Sequence, residues 1–440
     1  GPSEAVGILA GDKIVKIDNE NAVAINRDEV PKKLKGPKGT IVSVDIKRGN
    51  NPKLLKFDIT RDKIPLYSVD ASFMFDGTDV GFIRVNRFAA NTLDELKAGL
   101  KKLKSQGMKK LILDLRGNPG GFLQQAYFMA SEFLKNGDTI VYTKGRRPEF
   151  DEYLINNKNG EFNNIPLIVM VNHGSASASE IVSGAMQDLD RGLIVGTTSF
   201  GKGLVQRQYE IGDGSAFRLT ISKYYTPSGR SIQRPYKDKA DYRKLVGRLE
   251  LEEGSNIGHA LEKVKRDLKK ENDAELAKDN KSKNIVNLDS IPIYFTRKGR
   301  TVLGGGGITP DYIIKSDTIT DLSVELRMNR IFYEFVNNNL ENGVKIKEKY
   351  NNNFKEFKKD FKISDNMIED FKKLAATKKI KWDDKNYETD KDYILGEIKG
   401  TIASIVWGTD ARYELFYTTM DRQVQKALTL FPEAEKIAKN

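Results

Sequence analysis

Ile165-Pro166-Leu167-Ile168-Val169-Met170-Val171-Asn172-His173-Gly174-Ser175-Ala176-Ser177-Ala178-Ser179-Glu180 is the stretch that decides the fold. The apolar run from Ile165 to Val171 has the length of a buried strand, and Ile181-Val182-Ser183-Gly184-Ala185-Met186 beyond it has helical spacing. Strand, sharp turn and helix follow one another. Such a turn holds a hydroxyl out at the sheet edge, where the first free N–H groups of the helix can stabilise an oxyanion. Ser177 is the candidate nucleophile, with Ser175 and Ser179 as weaker candidates.

A nucleophilic serine needs a base, and the chain has few. It holds two histidines, His173 and His259, and no cysteine. Cysteine–histidine chemistry is thereby excluded, and a histidine-rich zinc site nearly so. His173 lies four residues before Ser177, across the turn, and His259 sits in a charged stretch. A lysine can serve only when neutral, which burial in apolar surroundings favours. Lys202, set in Phe200-Gly201-Lys202-Gly203-Leu204-Val205 with no carboxylate nearby in sequence, meets that description. Its flanking glycines would also give the loop a hinge.

Three other readings compete. Ser177-Ala178-Ser179-Glu180 is also a capping box, in which Ser177 closes the helix and Glu180 reaches back to it. Gly196-Thr197-Thr198-Ser199-Phe200-Gly201-Lys202-Gly203 matches a phosphate-binding loop except at Gly203, where the hydroxyl that holds magnesium is missing. Asp188 returns to the helix face of Ser177, but eleven residues of helix rise about 16 Å, so it is expected to be structural, pairing with Arg191 or capping a loop.

The motifs together carry a family resemblance. Gly174-Ser175-Ala176-Ser177-Ala178-Ser179-Glu180 and Phe200-Gly201-Lys202-Gly203 with Gln206 resemble the carboxyl-terminal processing (tail-specific) proteases of peptidase family S41. So do Asp114-Leu115-Arg116-Gly117-Asn118-Pro119-Gly120-Gly121, Tyr224 to Gln233, and Gly307-Ile308-Thr309-Pro310-Asp311. The resemblance implies Ser177 as nucleophile, Lys202 as general base and Gln206 as the group that orients the lysine. It implies an oxyanion hole from the backbone N–H of Ala178 and one from Gly120 or Gly121. In an extended strand Gln206 would stand about 13 Å from Lys202, so the role requires a turned or helical segment between them. The implied activity is a serine endopeptidase that forms an acyl-enzyme near substrate C-termini, with no cofactor and no metal. Protein or peptide substrates with apolar C-termini and a bacterial periplasm or cell envelope location are implied as well. The alternative is a catalytically silent peptide-binding scaffold of the same fold, which would be expected to have lost Ser177 or Lys202.

The expected fold is α/β: a layered α/β peptidase core (ClpP/crotonase-like) with a partial PDZ-like α+β domain and a helical C-terminal domain. Residues 1–64 read as strands Lys13 to Asp18, Ile41 to Lys47 and Lys53 to Ile59 with a helix near Asp28 to Leu34. They resemble the later part of a PDZ domain, whose first strand and carboxylate-binding loop would precede Gly1, so the resemblance does not by itself imply peptide capture by strand addition. The core spans 65–235, with strands Val80 to Val85, Lys110 to Leu115, Thr139 to Tyr142, Leu193 to Gly196 and Phe217 to Tyr225 and helices around Leu93 to Leu103 and Phe122 to Leu134. Residues 236–284 form a charged insertion of low apolar content, expected to be exposed helix or mobile. Residues 285–317 close the core. Residues 318–440 show four sets of helical apolar spacing and form the helical domain, through which a homo-oligomer is expected.

Composition bounds the remainder. At 440 residues the chain exceeds a single typical core. A net charge of +12 is spread along the sequence without a nucleic-acid motif, which points to a solvated surface and no nucleic-acid partner. The lack of cysteine fits an oxidising compartment. No apolar run reaches membrane-spanning length and no signal peptide is present, so solubility is expected.

Overall fold

The computed structural model describes residues 1–9, 11–49, 51–64, 66–234, 239–278, 292–338, 345–346, 348–350 and 352–439. Residues 236–238 and 279–284 of the expected insertion, and 285–291 of the closing segment, lie outside them. The chain divides into two units, Gly1–Leu66 with Asp317–Asp421, and Tyr67–Ser316 with Arg422–Asn440. It is a mixed α/β protein with a helical region toward its C-terminus.

In the first unit, β1 (Lys13–Ile17), β2 (Glu20–Asn21), β3 (Ile41–Lys47) and β4 (Leu55–Thr60) form an antiparallel sheet in the order β2-β1-β3-β4. Alternation along β3 buries Val42, Val44 and Ile46 and turns the residues between them outward, the pattern of a sheet with one covered face. The helical part has its own core, in which Phe332, Phe357, Phe371 and Ile394 meet. The expected apolar set Val324, Met328, Ile331 and Phe335 is split between two helices, Asp321–Met328 and Ile331–Asn338. The break falls where Arg330 takes φ +56°, which leaves Met328 exposed.

The second unit holds a six-stranded sheet in the order β16-β11-β10-β7-β6-β5. Its strands are β5 (Val69–Met74), β6 (Val80–Val85), β7 (Lys110–Asp114), β10 (Leu167–Val171), β11 (Leu193–Gly196) and β16 (Tyr312–Ile313). From β6 to β16 the neighbours are parallel, and β5 is an antiparallel edge. Every residue of β10 is buried, as a parallel strand covered on both faces requires. Helices Thr92–Ser105, Leu123–Ser131 and Ala178–Asp188 supply Leu96, Leu100, Ala126, Met129, Ile181 and Ala185 to the same core.

A second sheet, in the order β12-β13-β8-β9, is antiparallel and made of β8 (Thr139–Gly145), β9 (Glu152–Ile155), β12 (Leu204–Glu210) and β13 (Ala216–Tyr225). The short pair β14 (Ile293–Phe295) and β15 (Thr301–Leu303) completes the strands.

Two expectations about this unit change. The described part of the charged insertion is not a solvated appendage. Helices Lys239–Leu251 and Ile257–Lys278 bury Leu245, Leu249, Leu261 and Val264 against Leu303 and Ile313, because the few apolar residues fall on one face of each helix. The expected boundary at 318–440 also moves. Residues 422–440 belong with the core, where helix Phe431–Lys439 packs on β10 and β11 and Gln423 bonds to Arg116 at 2.6 Å.

Candidate active site

Parallel strands place their carboxyl ends on one edge, the usual position of a site in an open α/β sheet. Here β7, β10 and β11 end in the loops 115–121, 172–177 and 197–203. The first two loops are tied together through buried Asn118, whose side chain holds its own loop and whose carbonyl reaches the Ser177 turn, and Phe200 N–H joins the third by donating to the Ser175 carbonyl at 2.9 Å. Asn118 Nδ2 donates to the Val85 carbonyl (2.9 Å), its Oδ1 accepts from Gly120 N–H (2.9 Å), and its carbonyl accepts from Ala176 N–H (3.0 Å) and Ser179 Oγ (2.9 Å). Asn172 Oδ1 accepts from Gly117 N–H (2.8 Å) and Gly174 N–H (2.9 Å).

Ser177 stands at the N-cap of helix Ala178–Asp188 with φ +53° and ψ −109°. Backbone of this kind is rare for a residue with a Cβ and costs of order 1–3 kcal/mol unless the surroundings enforce it. It is the geometry of a strained strand-to-helix turn that lifts a hydroxyl clear of the sheet. From 175 to 199, Ser177 is the single residue that is not buried. Ser175 and Ser179 are fully buried, and their hydroxyls donate to the Leu115 and Asn118 carbonyls at 2.8 and 2.9 Å. Both are therefore spent on holding the turn.

The glycine loop comes within contact distance of that turn. A Cβ on Gly120, which has φ +96°, would lie 2.8 Å from the Ala176 carbonyl oxygen, 2.9 Å from Ser177 Cβ and 3.0 Å from Ala178 N. Gly121 approaches Phe88 so closely that a Cβ there would sit 2.0 Å from its carbonyl oxygen. The two glycines are required by packing.

The capping box is real, and it extends further than the sequence indicates. Glu180 Oε2 accepts from Ser177 N–H at 2.7 Å, and the same carboxylate accepts from Ser199 Oγ, Gly201 N–H and Lys202 N–H at 2.5, 2.7 and 2.9 Å. Glu180 is fully buried. Burial pushes its pKa above the usual carboxylate value, while these hydrogen bonds act in the opposite direction.

The structure places Lys202 differently from the expectation of an apolar enclosure. Its side chain is exposed, and a carboxylate, that of Glu180, lies against its backbone. Among the described residues no hydrogen bond joins the Lys202 ammonium to the Ser177 hydroxyl. The segment linking Lys202 to Gln206 is neither helical nor a tight turn. It enters β12, with a bulge between Val205 and Gln206, and Gln206 is exposed opposite Thr220. The expected hinge is tied on both sides: Gly201 accepts from Arg234 N–H at 3.0 Å and Gly203 N–H donates to Gln233 Oε1 at 3.0 Å.

The competing readings resolve on geometry. The phosphate-loop lookalike runs from β11 into a strand, so no helix N-terminus is available to cradle a phosphate. His173 is exposed, 3.7 Å from Glu250, and His259 is exposed on helix Ile257–Lys278. Asp188 is structural, but its partner is Arg230 at 2.7 Å, not Arg191, and it caps a loop by accepting from Ser228 N–H at 3.0 Å. Arg191 instead donates to the carbonyls of Phe133 and Phe162 at 2.6 and 2.5 Å. Among the described residues no cluster of His, Asp or Glu could hold a metal ion. No described helix is long and apolar enough to cross a membrane.

Comparison with known proteins agrees with the sequence motifs. Residues 79–239 match peptidase family S41, and residues 323–408 match a family of unknown function (DUF8443). A carboxyl-terminal-processing protease from Picosynechococcus sp. is 39% identical over 234 residues, covering 53% of this chain and 56% of that protein. A carboxy-terminal-processing protease from Bartonella bacilliformis is 42% identical over 237 residues, covering 53% and 54%. The chain thus spans about half the length of the curated relatives it matches. A photosystem II D1 C-terminal processing protease aligns at a TM-score of 0.35 with 30% identity, over 53% of this chain and 63% of that one. Residues 79–239, the segment that carries Ser177, are thus similar to peptidase family S41, and the chain is similar over about half its length to carboxyl-terminal-processing proteases.

Proposed function

We propose that the chain is a serine endopeptidase that cleaves protein substrates near their C-termini through an acyl-enzyme, with Ser177 as nucleophile, Lys202 as general base and Gln206 assisting the lysine. The observation that carries this reading is the strained Ser177, the single unburied residue in a run of 25, held against a glycine loop at the carboxyl edge of a parallel sheet (175 to 199 inclusive). Lys202 takes the Ser177 proton as the hydroxyl attacks the scissile carbonyl, and later activates the water that releases the product. The Ala178 N–H and the Gly121 N–H stabilise the oxyanion, since Asn118 already occupies the Gly120 N–H. Lys202 is exposed, and the apolar cover that a lysine base requires is assigned in this reading to the bound peptide. Apolar residues at the substrate C-terminus suit that requirement. A place in the bacterial envelope and a helical segment that pairs two copies complete the proposal. The N-terminal sheet is read as PDZ-like.

The test is labelling of Ser177 by a serine-directed phosphonate, located by mass spectrometry, together with cleavage of an unfolded protein. Ser177→Ala and Lys202→Ala should each lower cleavage by about 1,000-fold or more while circular dichroism stays native. EDTA should leave the rate unchanged. A folded Lys202→Ala variant that keeps more than a few per cent of the rate would remove the lysine from the mechanism. Absence of labelling at Ser177 would leave the silent-scaffold reading in its place.

A further inference from the structure

One oxygen atom touches the backbone of both proposed catalytic residues. Glu180 Oε2 accepts from Ser177 N–H at 2.7 Å and from Lys202 N–H at 2.9 Å. Its other oxygen, Oε1, accepts from Ser199 Oγ at 2.5 Å and Gly201 N–H at 2.7 Å. A carboxylate has about four lone-pair sites, and these four donors fill them. Ser199 Oγ also accepts from Ile308 N–H at 2.7 Å, so its own proton is free to point at Glu180. The arrangement is complete only for the ionised carboxylate, since an acid proton would face donors. Burial pushes its pKa up, and the four hydrogen bonds act in the opposite direction, each favouring the charged form. A capping box needs one of these bonds and gives no reason for the other three.

We propose that Glu180 is a positioning residue that locks the Ser177 turn and the Lys202 loop into one rigid unit, so that nucleophile and base keep a fixed relation although 25 residues separate them (177 to 202). The proposal rests on the peptidase reading for its effect on rate, and on geometry alone for the tether. Glu180 exchanges no proton with substrate. It keeps Ser177 at its positive φ from one side and fixes the start of the lysine side chain from the other. Glutamine at this position keeps one acceptor oxygen and turns an NH2 toward the other two donors, so it loses either the pair Ser199 and Gly201 or the pair Ser177 and Lys202 and loosens the tether.

The experiment compares Glu180→Gln and Ser199→Ala with the wild-type chain at full length. Two measurements are made: kcat and KM on a peptide substrate, normalised to phosphonate-titratable Ser177, and hydrogen exchange at the amides of Ser177, Gly201 and Lys202. Folded Glu180→Gln should lose about 100-fold in kcat per titrated site, with KM within about threefold, because the error lies in the placement of reacting groups and not in substrate binding. Ser199→Ala removes one donor of the four and should lose about tenfold. The three amides should exchange faster in both variants. Wild-type kcat per titrated site in either variant, or unchanged exchange at these amides, would overturn the proposal. If Glu180→Gln does not fold, Ser199→Ala decides by the same criteria. If the wild-type chain is not labelled at Ser177 the peptidase reading fails, while faster exchange in the variants still establishes the tether and unchanged exchange refutes it.

Discussion

At the residue scale the site depends on close approach. Gly120 lies where any Cβ would press on Ser177 Cβ and Ala178 N at 2.9 and 3.0 Å, and neither atom can retreat without moving the helix N-terminus. Gly120→Ala should therefore lower cleavage by about 100-fold and destabilise the fold by about 1–3 kcal/mol, through positive φ and overpacking together. Peptide kinetics alongside urea unfolding would check this, and a variant with both values unchanged would show that the loop can yield. Lys202 shows the opposite property. It is exposed, so the substrate has to complete its environment.

At the element scale, buried ion pairs hold the ends of the strands and helix that frame the site. Asp188 closes helix Ala178–Asp188 and meets Arg230 with both side chains fully buried. Breaking such a pair strands a charge, so Asp188→Ala should cost about 3–5 kcal/mol, and Asp188→Ala with Arg230→Met should recover part of it. Activity per folded molecule should be kept, because Asp188 ends the helix that Ser177 begins; a folded but inactive variant would show that Asp188 takes part in catalysis. Asp114, at the end of β7, accepts from Arg116 Nε at 2.9 Å and Arg116 Nη2 at 2.7 Å, with Arg84 at 3.6 Å. Burial alone would raise its pKa, but the two guanidinium groups and the Arg116 backbone N–H outweigh it and hold the carboxyl below its usual value. A folded-state pKa below the unfolded one, about 3.9, means that this stabilisation is present above about pH 4 and is lost as pH falls from there through the folded value. Urea midpoints measured from pH 5 to 2 should drop in the wild-type chain and drop less in Asp114→Asn, which starts less stable; parallel curves would contradict the assignment.

At the scale of the whole molecule the chain order and the spatial units do not coincide. Gly1–Leu66 groups with Asp317–Asp421, while Arg422–Asn440 returns to the unit that holds Ser177. That return is anchored by Gln423, whose Oε1 accepts from Arg116 Nη1 at 2.6 Å and whose Nε2 donates to the Ile314 carbonyl at 2.5 Å, and by helix Phe431–Lys439 on β10 and β11. Ending the chain after Asp421 should uncover apolar surface beside the central strands and lower the melting temperature by about 10 °C. An unchanged melting curve would mean that these last helices contribute little.

Local patterning was enough to place the strand–turn–helix around Ser177, the glycine loop and the helices over Leu96 and Ala126, since apolar periodicity, small residues and caps act within a few residues of one another. The edge strand β5, the strand β12 after Lys202 and the short closing strands were not legible, because their exposed or brief sequences become strands only by pairing with a partner already in place. The same limit applies inside the site. Glu180 reads locally as a helix cap, yet its bonds to Gly201 and Lys202 span 21 and 22 positions, and Asp188 meets Arg230 across 42. Sequence specified which residues could do chemistry; which carboxylate holds the lysine loop, which arginine neutralises Asp188 and how far Lys202 stands open to water were decided by tertiary structure, because those contacts arise only once separate strands have been aligned in one sheet.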